Sequence, residues 1–384
     1  MNKKNILVTD LSTIVAGSQK VTFNIIDGLH DKGFNLYVLC RRKESDVKKF
    51  YSKYSKNYFI LDNLIEVIFG TGSFSLKKLS FFKKLKISFL VFMLNIQVLL
   101  TAIINKTKII YCYDPKGIIA SALFTKILGF KIIWHLHGEL NFGKKINTIL
   151  CNLSTKIIVP SQYIHEKIKE YKDSTIIYNG FNFPPINKFS FEKPKDEELI
   201  RLIFIGTLTP QKGLHTIIQS LSKINSKNKY IINIIGDFIS NDSNYKNYLN
   251  CLIEKLPDNI SIIFHGWVND PYPYIVKSDV LLFPSIKKGS IQYENSSITF
   301  SSSEALPTVI IEALAMNIPV IATNIAGTKE IITSPNYGTI IDDFLEINLD
   351  TVINNLLINK NINTKNIREK FYLETMLNKI EILF

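Results

Sequence analysis

The sequence predicts an α/β protein of two domains, each an open parallel sheet assembled from βαβ units. Short β-branched runs alternate with longer helix-like segments almost throughout. The 384 residues, 46% hydrophobic and 21% charged, suit a globular protein of about twice the length of one domain. A stretch with three prolines and a charged end, FNFPPINKFSFEKPKDEE at residues 181–198, divides the strand-like runs into two series.

The first series reads NILVTD (5–10), FNLYVLC (34–40), LIEVIFG (64–70), TKIIYCY (107–113), FKIIWHL (130–136), TKIIVPS (155–161) and STIIYNG (174–180). The second reads LIRLIFIG (199–206), YIINIIG (230–236), SIIFHG (261–266), DVLLFPS (279–285), IPVIAT (318–323) and YGTIID (337–342). The expected domains are residues 1–190 and 191–365, with NIREKFYLETMLNKIEILF in the last segment, 366–384, forming a helix that crosses back to the first. Ligands of open parallel sheets gather at the carboxyl ends of the strands, so two such domains facing each other would bind a substrate in a cleft between them. Residues 286–303 are polar and serine-rich without helical periodicity, and read as an irregular insertion beside that cleft.

Lys and Arg outnumber Asp and Glu by 46 to 33, a formal net charge of +13, which favours anionic partners: phosphates or a membrane surface. The charges are scattered and no zinc-finger or RNA-binding signature is present, so nucleic acid is disfavoured. The four cysteines lie far apart, three of them in or beside apolar runs, and read as buried thiols in a reducing cytoplasm. The N-terminal apolar run is too short for a signal peptide. Residues Ile87 to Ile104 carry no charge and just reach the length of a membrane span, with Asn95 and Gln97 near the middle. An internal helix is the simpler reading; the preferred one rests the lysine-rich residues Lys77 to Lys86 on anionic lipid, with the apolar helix partly immersed.

SSSEALPTVIIEALAMNIPVIATNIAGTKEI, residues 301–331, holds two carboxylates in an apolar run. Pro307 suits the first turn of a helix that Asn317 can close, which puts Glu304 in the preceding loop and Glu312 in the second turn. Free amides around Leu306, Thr308 and Val309 make an anion site at that helix start. Carboxylates repel a diphosphate but accept hydrogen bonds from sugar hydroxyls, one from a ribose and one from a second sugar. A capping Glu304 and a solvated Glu312 are the plainer alternative.

FIGTLTPQKGL, residues 204–214, ends a strand at Gly206 and opens a helix after Lys212-Gly213. Lys212 is thus a point charge at a strand-to-helix turn, suited to neutralising a diphosphate leaving group. In WHLHGE, His137 lies just past a strand end, where it would face the cleft and could hydrogen-bond a substrate hydroxyl or backbone group; a buried structural histidine is the alternative, and is the preferred reading for His135. Gly17 would let backbone approach a phosphate before the helix that follows it.

Together these residues resemble the retaining glycosyltransferases called glycosyl transferases group 1, or family 4, which have the GT-B fold of two facing Rossmann-like domains. The pair Glu304 and Glu312 in EALPTVIIEALAMNIPVIAT carries the likeness, with IGTLTPQKG, IIGD, IIFHGWVND, DVLLFPS, GTKEII, WHLHG, VPSQ and IYNGFN in support. The resemblance implies Lys212 at the departing diphosphate, Glu304 near the transferred sugar and Glu312 on the nucleotide ribose. It further implies amides of Leu306 and Thr308 at the phosphates, His137 at the donor sugar, Gly17 near the diphosphate, and backbone from Gly266 to Val268, with Gly236 of IIGD, beside the base. Neither a metal nor a cofactor is implied; the donor is a nucleoside diphosphate sugar of UDP or GDP type. The chain departs from the pattern at Thr207, where the family often has an arginine, and in residues 286–303.

The expected function is transfer of a sugar to a glycan, on a lipid carrier, by a protein peripheral on the inner face of the membrane. A sugar-nucleotide epimerase on the same fold and a catalytically silent partner protein are the alternatives.

Overall fold

A computed structural model describes residues 4–12, 15, 17–41, 44–54, 57–60, 80–189, 198–238, 243–294, 296–359 and 361–384. The chain forms two compact units, Met1–Phe181 with Leu373–Phe384, and Asn182–Tyr372. The first crossing therefore lies upstream of the expected boundary near residue 190, and the return begins at Leu373, later than the expected 366.

Unit 1 runs β1 (Asn5–Asp10), α1 (Gly17–Asp31), β2 (Asn35–Arg41), α2 (Asp46–Tyr51), β3 (Asn57–Ile60), α3 (Phe81–Ile104), β4 (Ile109–Tyr113), α4 (Asp114–Ile127), β5 (Lys131–His135), α5 (Lys144–Leu153), β6 (Lys156–Val159), α6 (Gln162–Ile168) and β7 (Thr175–Ile176). Its sheet is ordered β3-β2-β1-β4-β5-β6-β7, with every pair parallel. The run LIEVIFG at 64–70 lies outside the described residues, and β3 was not expected from the sequence. Strands such as β1 and β5 are almost continuously apolar because helices cover both faces of a parallel sheet.

Unit 2 runs β8 (Leu199–Ile205), α7 (Leu214–Leu221), β9 (Lys229–Ile235), α8 (Ser243–Ile253), β10 (Ile260–Gly266), α9 (Tyr272–Ile275), β11 (Val280–Phe283), β12 (Lys288–Tyr293), β13 (Ser296–Ser301), α10 (Thr308–Ala315), β14 (Val320–Thr323), α11 (Thr328–Ile331), β15 (Gly338–Ile341), α12 (Leu349–Ile358) and α13 (Thr364–Lys370). The last helix, α14 (Leu373–Glu381), belongs to unit 1. The sheet of unit 2 is ordered β10-β9-β8-β11-β14-β15. Both units thus place their third, second, first and fourth sheet strands side by side. The direction of winding reverses between β1 and β4 in one unit and between β8 and β11 in the other, where a doubly wound sheet opens a crevice for ligands.

Residues 286–303, expected to be irregular, form an antiparallel hairpin inserted after the fourth strand of unit 2. β12 and β13 pair from Lys288 with Ser301 to Tyr293 with Ser296. Its inner side chains, Ile291, Tyr293, Ile298 and Phe300, pack on the core of unit 2. Phe300 meets the ring of His215 on α7, and Tyr293 that of Tyr248 on α8. The hairpin is anchored because every second residue of its strands faces protein.

α10 starts at Thr308, with Pro307 as the flanking residue rather than inside the first turn. It ends as expected at Asn317, which is left-handed at φ 63°. The Asn317 amide donates to Leu314 O at 3.1 Å and that of Ile318 to Ala313 O at 2.9 Å, a closing pattern that satisfies the last carbonyls. On α13, Arg368 donates from Nε to Ala315 O at 2.9 Å, adding a cation at the negative end of α10.

α3 lies against α4 through Ile87, Leu90, Leu94, Val98 and Ala102, all buried. Asn95, fully buried among them, donates to Val91 O at 2.8 Å and Ile119 O at 2.9 Å, and accepts from the Leu123 amide at 2.9 Å. The polar residue that counted against a membrane span thus bolts α3 to the backbone of α4. α14 joins the core of unit 1 through Met376 and Ile380, and Phe384 just beyond it does the same, packing with Ile25 and Leu29 of α1.

Candidate functional site

In unit 2, Lys212 closes the turn Pro210–Lys212 between β8 and α7, its amide donating to Thr209 O at 2.9 Å. Gly213 follows at φ 75°, where a Cβ would stand 2.0 Å from the Pro284 carbonyl oxygen, so this turn requires glycine. The Ile286 amide donates to Gln211 O at 2.8 Å. The segment after β8 is thereby pinned to the one after β11, across the switch point.

There the Lys212 ammonium forms an ion pair with Glu304 Oε1, both side chains being largely sheltered. Gln211, Lys212, Ser301, Ser302, Ser303 and Glu304 line a cavity of about 220 Å³. The hairpin delivers Glu304 to the lysine: Ser301 ends β13, and Ser302 donates its amide to Lys287 O at 2.8 Å at the hairpin base. Just beyond, the amides of Leu306, Thr308 and Val309 at the head of α10 have no acceptor among the described residues, as first-turn donors lack an intrahelical partner.

Glu312 sits half-buried in the second turn of α10. Burial first, and then the Glu312 charge, push the Tyr272 phenol well above its usual range, so that Tyr272 is a neutral hydroxyl beside this carboxylate. Tyr272 was not singled out in the sequence; its tyrosine-proline context after β10 carries no signal of its own.

Thr207 continues the chain from the end of β8, its carbonyl accepting from the Thr209 amide at 2.9 Å. Gly206 donates its amide to Ile235 O at 2.9 Å, and Gly236 donates to Gly266 O at 2.8 Å. The carboxyl ends of β8, β9 and β10 are thereby drawn into one row, with Val268 two residues beyond it.

In unit 1, His135 is fully buried with Nδ1 hydrogen-bonded to the Tyr111 hydroxyl at 2.6 Å, in keeping with a structural role. His137 stacks on it at 3.9 Å and lies 3.4 Å from Thr22 Oγ1 through Nε2. Burial lowers the His137 pKa to about 3, so the ring is neutral at physiological pH. Gly17 opens α1, and beyond its chain neighbours and its own helix backbone nothing lies within 4 Å of where its Cβ would be. Unit 1 thus brings His137 close to α1, and unit 2 gathers Lys212, Glu304 and the head of α10.

A buried carboxyl escaped the sequence reading. Asp10, ending β1 at the switch point of unit 1, accepts from Tyr51 Oη at 2.7 Å, from the Ser12 amide at 3.0 Å and from Gln19 Nε2. Burial, outweighing these hydrogen bonds, lifts its pKa to about 6. A folded value above the unfolded one means that its stabilising contribution is present below pH about 4 and is lost as pH rises through 6. Asp10→Asn is expected to unfold about 3 kcal/mol less pH-dependently between about pH 4 and 8. Urea titrations of the two proteins across that range check this, because the opposite contributions of His137 and His215 cancel in the difference.

A lysine paired with a carboxylate at the switch point of one of two parallel-sheet units, ahead of a helix whose first amides are open, defines the class: a GT-B glycosyltransferase fold. The chain belongs to the glycosyltransferase families its halves match, residues 185–372 to "Glycosyl transferases group 1" and residues 15–183 to "Glycosyltransferase Family 4". It is similar to an uncharacterized 41.2 kDa protein in the cps region of Klebsiella pneumoniae, 26% identical over 62% of this chain and 59% of that protein. It is also similar to the capsular polysaccharide biosynthesis glycosyltransferase CapM of Staphylococcus aureus, 24% identical over 60% of this chain and 61% of CapM. The chain thus matches about three fifths of the length of these relatives. Among solved structures, Anabaena HepE in complex with UDP superimposes with a TM-score of 0.73 over 99% of this chain and 98% of HepE, at 18% identity.

Proposed function

We propose that the chain is a retaining glycosyltransferase that moves a sugar from a nucleoside diphosphate donor, of UDP or GDP type, to a glycan carried on lipid at the cytoplasmic face of a membrane. The observation that carries this reading is the Lys212–Glu304 pair beside the open amides of Leu306, Thr308 and Val309. A cation and oriented amides suit the charge that grows on a departing diphosphate, and a carboxylate next to them suits a sugar hydroxyl. CapM, named for capsular polysaccharide biosynthesis, and HepE, solved with UDP, support the donor and acceptor classes.

In the proposed reaction the bond from the anomeric carbon to the diphosphate oxygen breaks as the bond to the acceptor oxygen forms on the same face. The acceptor proton passes to the leaving phosphate. Lys212 gives up Glu304 for the diphosphate, and Glu304 is released to hold the transferred sugar. Glu312, with neutral Tyr272 beside it, takes the ribose, and the aligned ends at Gly206, Gly236 and Val268 border the base. Neutral His137 accepts or donates a hydrogen bond to the donor sugar without adding charge.

Thermal stabilisation against UDP, GDP, CMP and ADP tests the donor site. One nucleoside diphosphate is expected to raise the melting temperature of the protein and not of a Lys212→Ala/Glu312→Ala variant. Thr207, which brings no cation where relatives of this kind often have one, favours the silent-partner reading; failure of every nucleotide to stabilise the folded protein would put that reading first.

A further inference from the structure

Most of the exposed large apolar side chains among the described residues fall between residues 81 and 149 of unit 1. All of these but Leu128 and Phe142 belong to three neighbouring helices, with α3 against α4 and α4 against α5. On α3, Phe82 is 80% exposed, Phe89 60% and Ile104 70%, on the side away from its buried stripe. Ile127 on α4 is 80% exposed and Ile149 on α5 59%. Scattered apolar residues on a surface need no explanation, but a concentration on adjoining helices marks an interaction site.

We infer that α3, α4 and α5 form a face that beds into an anionic lipid surface, with α3 lying in the plane of the interface and not crossing it. Charge identifies the occupant. Residues 80–160 hold eleven lysines against two carboxylates, Asp114 and Glu139. Lys84 and Lys86 stand at the head of α3, and Lys144 and Lys145 at the head of α5, in the flanks where ammonium groups meet lipid phosphates. A face for a second copy of itself would bring these like charges together.

Orientation follows from Asn95. α3 has the length and composition of a span, yet its inner stripe is committed to α4 and its central Asn95 makes two hydrogen bonds to α4 backbone, at Ile119 and Leu123. Crossing a bilayer would strip α3 from α4 and leave that amide, with its partners at Ile119 and Leu123, unpaired in hydrocarbon. The amphipathic alternative keeps the bonds and wets only the lysines.

The inference rests on the lipid-carried acceptor only for its purpose, since docking is measured without acceptor or donor. The full chain is mixed with vesicles of phosphatidylcholine alone or of three parts phosphatidylcholine to one part phosphatidylglycerol, and bound protein is separated by flotation. Binding to the anionic vesicles is expected, weakening as salt rises. It should fall about tenfold or more in Phe82→Ser/Phe89→Ser/Ile127→Ser and, separately, in Lys84→Glu/Lys86→Glu/Lys145→Glu. These positions are exposed, and an unchanged melting temperature confirms folding of each variant. Alkaline carbonate should release the vesicle-bound protein; retention would make α3 a span and overturn the planar arrangement. No flotation with anionic vesicles, or binding that both variants keep, would overturn the docking face. A concentration-dependent dimer lost in the apolar variant, without flotation, would assign the face to a second copy. Nucleotide-induced stabilisation is read in the same preparations, so failure of lipid docking remains distinct from failure of the donor site.

Discussion

Replacing Lys212 by alanine is expected to lower the rate of sugar transfer by about 10²–10³-fold, chiefly in kcat. The lysine sits at a turn held by Gly213 and by the Ile286–Gln211 hydrogen bond, so its ammonium is presented by rigid backbone. In the proposed reaction its charge matters most when the diphosphate is leaving, which is why the loss is expected in kcat more than in KM. The variant also leaves Glu304 without its cation, and a carboxylate free beside the departing phosphates works against transfer. Steady-state kinetics on the donor identified by thermal stabilisation measures the effect. A Lys212→Ala enzyme within about threefold of the parent would reduce the lysine to a structural partner of Glu304.

Gly236→Ala is expected to cost about 3 kcal/mol of the stability of unit 2, roughly 6–12 °C in melting temperature. The residue has φ +136°, outside the range that side chains tolerate, and its Cβ would stand 1.9 Å from the carbonyl oxygen of Gly206. Backbone on both sides cannot yield as a side-chain tip would. Strands β8 and β9 must part at their carboxyl ends, where Gly206 and Gly236 are aligned, so nucleotide-induced stabilisation should shrink as well. Calorimetry with and without nucleotide checks both; an unchanged melting temperature would mean that the close approach is not maintained.

Most of the sheet strands were legible because a covered parallel strand leaves a continuous apolar run, as in IIYCY or VLLF. β3 was not, and residues 61–79 lie outside the description. The hairpin shows a different obstacle. Its alternation, Ile291 and Tyr293 on one strand and Ile298 and Phe300 on the other, was present in the sequence, but serines on the outer face masked a period of two. Lys212 and Glu304 were legible as separate motifs. Their pairing was not, because it depends on a register in which the hairpin returns Glu304 to the β8 turn. Asp10 and Tyr272 owe their character to what surrounds them, which no local pattern records.

The docking of α14 has a consequence for biosynthesis. Unit 2 is one uninterrupted stretch of chain, whereas the core of unit 1 receives Met376, Ile380 and Phe384 from beyond it. A ribosome therefore delivers the whole of unit 2 before unit 1 can bury the α1 side chains that face α14. Until then the nascent first half holds open a site that only its own distant tail fills, and the order in which the halves mature is the reverse of the order in which they are begun.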